Sequence, residues 1–73
     1  MDEESAKISN MPLEDFKKEL ETLEFYKLVK LYKFVCFIKG FCEHTQKFVS
    51  KYNTCCEQIE IIEKTYPEVK VVL

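Results

Sequence analysis

An apolar ladder runs from Leu31 to Leu73 at alternating spacings of three and four, and no other feature constrains the fold as strongly. Its rungs are Leu31, Phe34, Ile38, Phe41, Thr45, Phe48, Tyr52, Cys55, Ile59, Ile62, Tyr66, Val69 and Leu73. Only Thr45 is polar, and this repeat is the seam of a coiled-coil helix. A helix cannot bury such a seam against itself, so the seam predicts a partner helix from a second copy of the chain or from another protein. The chain is accordingly expected to be helical only as an oligomer.

Length supports the same expectation. A chain of 73 residues makes one domain at most and buries too little surface to be robust without a staple or an assembly. No charged-then-apolar leader with a small-residue cleavage site opens the sequence, so Cys36, Cys42, Cys55 and Cys56 read as reduced thiols of a cytoplasmic protein. Gly40 is the single glycine, and Pro12 and Pro67 are the two prolines, near the ends of the patterned region. That composition suits a helical scaffold and gives no loop-rich enzyme fold.

The formal charge of −2 is laid out in blocks. Residues 1–24 sum to −5, residues 25–54 to +5 with Glu43 as their one acid, and residues 55–73 to −2. Blocks of this kind set the direction and register of neighbouring helices, or serve simply as solvated faces. All eleven basic residues are lysines. The absence of the planar arginine fork, with an acidic isoelectric point, weighs against nucleic acid as a partner.

Residues 1–10 are acidic and without period, which predicts a mobile tail. A helix is expected to start near Asn10 to Pro12, with Glu14 and Asp15 beside its free amides. Leu13, Phe16, Leu20 and Leu23 form a second, shorter stripe. Its heptad continuation lands on Lys27 and Lys30, so the two stripes differ in phase. Between them, residues 25–35 are apolar except for a lysine at every third position, a width that suits a helix gripped by several neighbours. Lysines at 27, 30, 33 and 39 are too many for a membrane-spanning segment over residues 25–42, which leaves an interfacial, lysine-rimmed helix as the membrane reading.

Gly40 raises the question of a hairpin. The ladder passes through it without losing phase, and Lys39-Gly40-Phe41-Cys42 lacks the polar cluster of a connection, so one helix is preferred from about residue 12 to about residue 65, bent at most near Gly40. At about 1.5 Å per residue it would be roughly 80 Å long. Pro67 ends it. The apolar tail at 67–73 is expected to be extended, either frayed or added to a partner. The expected organisation is therefore all-α: an acidic disordered tail at 1–10, a helical coiled-coil region at 11–66 in a multi-helix bundle, and the tail at 67–73.

Cys36, Cys42, His44, Cys55 and Cys56 invite a zinc site, but Cys42 and His44 would point about 200° apart on a helix and no Cys-x-x-Cys pair exists. The cysteines read better as small apolar side chains, and no metal or cofactor is expected. A Cys–His catalytic pair would need a pocket that one long helix does not offer, so no catalytic residues are assigned.

From Phe37 onward the chain resembles the Brick-type small coiled-coil subunit of the WAVE (SCAR) complex and the related subunit of the WASH complex. Phe37-Ile38-Lys39-Gly40-Phe41 matches two aromatics and an aliphatic of the family segment, with lysine where that family has asparagine. Val49 and Tyr52 fall on its leucine positions, Asn53 coincides with an asparagine of the Brick type, and Gln58-Ile59-Glu60 matches the closing triplet of the WASH type. The similarity spans about 30 residues. It implies a long helix in a multi-chain bundle that supports branched actin assembly.

The leading functional expectation is thus a non-enzymatic structural subunit that binds other helical chains, copies of itself or different proteins. Its interface would be Leu31, Phe34, Ile38, Phe41, Phe48, Tyr52, Cys55, Ile59, Ile62 and Tyr66. The competing expectation is a small membrane-surface or viral adaptor that uses the lysine-rimmed aromatic stretch 25–42.

Overall fold

In the computed structural model, which describes residues 3–71, the chain is all-helical. Its elements are α1 (Glu3–Ser9), α2 (Leu13–Thr22), α3 (Phe25–Thr45), α4 (Val49–Thr65) and a closing 3-10 turn (Pro67–Lys70). A helix over 12–65 would reach roughly 80 Å, whereas the longest dimension here is 32 Å and the radius of gyration is 11.5 Å. The expectation of one long helix is corrected accordingly. Between residues 12 and 65 the helix breaks twice, and the partner that the ladder requires is supplied by the chain itself.

The first break falls where the two stripes lose phase. Leu23 and Glu24 are extended, with ψ of 138° and 150°. A straight helix through this point would have carried the Leu13–Leu23 stripe onto Lys27 and Lys30; two extended residues re-aim the chain so that Leu28 and Leu31 are buried instead. The second break lies at Gln46-Lys47-Phe48, not at Gly40. Gln46 adopts the left-handed conformation (φ 58°), and its amide donates to the Cys42 carbonyl at 2.9 Å, the αL closure of a helix end. Tyr52 N–H then donates to Phe48 O at 2.8 Å to open α4.

The short turn makes α3 and α4 an antiparallel hairpin. Lys39 lies over the Tyr52 ring and the Tyr32 hydroxyl donates to the Glu63 carboxylate, one pair near the turn and one far from it. The ladder folds back on itself. Leu31, Cys55, Ile62 and Val69 are fully buried, Phe34, Ile38, Ile59 and Tyr66 pack against the core, Thr45 and Tyr52 are half-buried, and Phe41 and Phe48 remain exposed. Leu73 lies outside the described residues.

The remaining elements close the core. Phe16 and Leu20 of α2 are buried with Leu28, Leu31, Tyr32 and Val35 of α3. Residues 3–9, expected to be a mobile tail, form α1 and pack against α3. Glu3 and Glu4 begin that helix and Lys7 lies in its last turn, in the sense the helix dipole favours. Ile8 is buried, and Gln58 Nε2, itself buried on α4, donates to Ser9 O at 2.9 Å. The expected extended tail instead makes the 3-10 turn after Pro67. Val69 is its buried residue, and Tyr66 OH donates to Leu20 O at 3.3 Å to hold the junction against α2.

Candidate functional site

Burying one side of α3 leaves another side bare. Helical spacing of about 100° per residue places Tyr26, Lys30, Lys33, Phe37, Gly40, Phe41 and His44 on one arc, opposite the buried Leu28, Leu31, Val35 and Cys42; every residue of that arc is exposed. Phe37 is 63 % exposed, Phe41 50 % and Tyr26 55 %. The hairpin turn extends this surface. Phe48, 51 % exposed, stacks on Phe41 with ring centroids 6.2 Å apart at 22°, and Val49 beside it is 66 % exposed. Scattered exposed apolar residues are ordinary, but contiguous ones mark interaction surfaces.

The local chemistry of this face is basic and aromatic. Lys30 Nζ sits 5.7 Å from the Tyr26 ring centroid, and Lys39 Nζ 5.9 Å from that of Tyr52 on the adjoining flank. Lys47 projects from the turn as an exposed residue. No acid of α3 lies on the arc itself, and Glu4 of α1 lines a recess with Tyr26 and Lys30 at its N-terminal end. Glu43, the one acid of this block, stands on the flank, where it lines a shallow apolar groove with Cys42, Gln46, Phe48, Val49 and Tyr52.

Gly40 sits at one edge of the arc, a turn after Phe37, and has no internal reason to be glycine. A Cβ placed there would meet nothing within 4 Å, and its φ is not positive. An interior helix glycine costs about 1 kcal/mol relative to alanine. Its remaining effect is a flat spot beside two exposed rings, where another backbone can approach closely.

A second polar group lies between α3, α4 and the closing turn. Tyr32 OH donates to Glu63, whose other oxygen is 3.7 Å from Lys70 Nζ. Burial first, and then the Glu63 carboxylate, push the Tyr32 phenol well above its ordinary value. Cys36 borders this pair, and burial pushes its thiol up, as it does for Cys55. Raised thiols supply little thiolate, which is the reactive form. All four cysteines are free, and among the described residues no group of three or more Cys, His, Asp or Glu is placed to hold a metal. His44 points out on the bare face of α3 while Cys42 is buried.

Of the expected interface residues, Leu31, Cys55 and Ile62 are therefore spent on the core, and Phe34, Ile38, Ile59 and Tyr66 largely so. Phe41, Phe48 and part of Tyr52 stay available. Phe37, Val49 and Tyr26 were not singled out by the ladder because they lie off it; the signal that could have found them is the surplus of apolar residues on a helix whose buried face was already filled. No described helix is long and apolar enough to cross a membrane. Comparison of the chain with protein-family models, with curated proteins and with solved structures finds no match.

Proposed function

We propose that the chain is a non-enzymatic helical interaction module, whose working surface is the outer face of α3 and the adjoining turn. The observation that carries this reading is the exposed aromatic group Phe37, Phe41 and Phe48 beside an exposed helical glycine. At roughly 150–250 Å² per aromatic side chain, half to two-thirds exposure of three phenylalanines leaves on the order of 300 Å² of apolar surface, within the range of functional patches. In the narrower form of the proposal the module is a cytoplasmic subunit of an actin-regulatory assembly of the WAVE or WASH kind. In its support, Phe37-Ile38-Lys39-Gly40-Phe41, a segment that carries that resemblance, also supplies Phe37, Gly40 and Phe41 to this face.

Purification of the tagged chain from its source cell, with chemical cross-linking through lysine, tests the proposal. Partner cross-links are expected at Lys30, Lys33 and Lys47 and are expected to vanish in Phe37→Ser/Phe41→Ser, whose circular dichroism should match that of the parent. Cross-links confined to α2 or α4, or capture indifferent to the double substitution, would rule the face out. A second reading, an adaptor lying on an anionic membrane, draws on the lysines that border the same rings. Binding to phosphatidylserine vesicles that salt abolishes would favour it.

A further inference from the structure

We propose that the bare face of α3 receives an amphipathic helix whose apolar stripe is flanked by Asp and Glu; this rests on the reading of the chain as a protein-binding module. Charge decides the class of partner. Lys33 stands one turn before Phe37, Lys47 adjoins Phe48 and Lys30 lies over Tyr26, while the carboxylates nearest the arc stand at its edges, Glu4 of α1 beside Tyr26 and Lys30 and Glu43 beside Phe48. The exposed rings alone fall short of the ~800 Å² per partner of a standard interface. A stable contact must therefore spread onto the lysine stems and bring their ammonium groups against the partner. Acidic flanking residues gain from that approach, whereas basic ones meet like charge.

The same argument disfavours a second copy bound face to face, since two α3 faces would oppose lysines to lysines. Gly40 selects the shape of the occupant. With open space where a side chain would stand beside Phe37 and Phe41, it admits a rigid rod laid against that edge of α3 at close range, which is how small residues serve helix pairs. The arc runs from Tyr26 to His44, about 27 Å at ~1.5 Å per residue, which matches a partner segment of about five helical turns.

The test is selection from a displayed library of helix-forming peptides, with randomised heptads, against the intact immobilised chain. Three variants run in parallel: Phe37→Ser/Phe41→Ser, Lys30→Glu/Lys33→Glu and Gly40→Ala. Each lies at an exposed position, and circular dichroism checks its fold. Peptides enriched on the parent are expected to carry an apolar i, i+3, i+4, i+7 stripe with Asp and Glu beside it. The double serine variant should weaken them by about 30-fold or more, the loss of one hot spot. The charge-reversed pair should instead enrich peptides with lysine or arginine flanks, and Gly40→Ala should weaken binding although its fold is intact.

Enrichment on this face without charge bias, or unchanged by charge reversal, would overturn the acidic class while leaving the protein-binding reading in place. No enrichment above the double serine variant would overturn both. So would salt-sensitive flotation with phosphatidylserine vesicles in the absence of peptide binding. Dimerisation in sedimentation that Phe37→Ser/Phe41→Ser abolishes would overturn the proposal in favour of a second copy.

Discussion

Two residues show how side-chain environment, more than residue type, decides contribution. Tyr32 is buried, and its hydroxyl has one partner on the facing helix, Glu63. Because the phenol is raised above its unfolded value of about 10, its share of stability is whole below that pH and is lost as pH rises beyond it. Tyr32→Phe should cost about 1.5–3 kcal/mol at neutral pH, the range for a hydrogen bond to a charged group, and should flatten the alkaline decline in stability. Urea melts of parent and variant from neutral to strongly alkaline pH check both. An identical alkaline slope would show that other groups govern it, the raised thiols of Cys36 and Cys55 being the first to consider. Gly40 is the converse case. With open space where an alanine methyl would stand and no positive φ, Gly40→Ala should raise stability by about 0.5–1 kcal/mol, measured as a rise in denaturation midpoint at unchanged slope. A gain in stability together with weaker peptide binding would separate its folding role from its role at the surface.

At the scale of elements, the decisive structure is the turn between α3 and α4. Gln46 holds a left-handed conformation that glycine adopts freely and other L-residues adopt at a cost. Gln46→Gly should therefore stabilise the hairpin by about 0.5–1 kcal/mol, whereas the β-branched Gln46→Val should destabilise it; thermal melts of the two variants read the sign directly. On the facing helices, Ile62→Ala should cost about 2–5 kcal/mol because its site is closed on all sides, while Phe41→Ala, at an exposed site, should stay within about 0.5 kcal/mol. Much of this was legible in the sequence. The all-α class follows from the ladder and the scarcity of glycine and proline, the start of α2 lies one residue after Pro12, and the end of α4 lies just before Pro67; the phase slip at Leu23–Leu31, through which one helix was expected, coincides with the first break. The hairpin was hidden by a coincidence of spacing. Thr45, Phe48 and Tyr52 keep the ladder in register across the turn, so periodicity reads straight through a place where the chain reverses. The signal lay in composition: Glu43-His44-Thr45-Gln46-Lys47 is a run of five polar residues, the connection that Gly40 lacks. Helix α1 was hidden because, at seven residues, it shows too little of a helical repeat and is held largely by Ile8 and by Gln58 of a distant helix.

For the whole molecule, the same ladder supports two incompatible assemblies, and topology chooses between them. A seam shared between extended chains would make folding depend on concentration; a seam closed within one hairpin makes it depend only on the chain. Residues from α1, α2, α3, α4 and the closing turn share one core, with Ile8, Phe16, Leu31, Ile62 and Val69 each nearly or fully buried. Gln58 to Ser9, Tyr66 to Leu20 and Tyr32 to Glu63 tie distant elements to one another. The surface ion pair Lys27–Glu4, at 3.6 Å, adds little to them. A core of this size supplies no more than about 3–5 kcal/mol net, so the fold should be marginal but self-sufficient. Sedimentation equilibrium at micromolar concentration should accordingly report the 8.7 kDa monomer, and its melting temperature should not move when concentration is raised a hundredfold. Helicity that appears only as concentration rises would mean that Leu31, Cys55 and Ile62 are shared between chains after all. Monomeric helicity would instead leave Phe37, Phe41 and Phe48 as the apolar surface free for a partner, which is the condition that both proposals for this chain require.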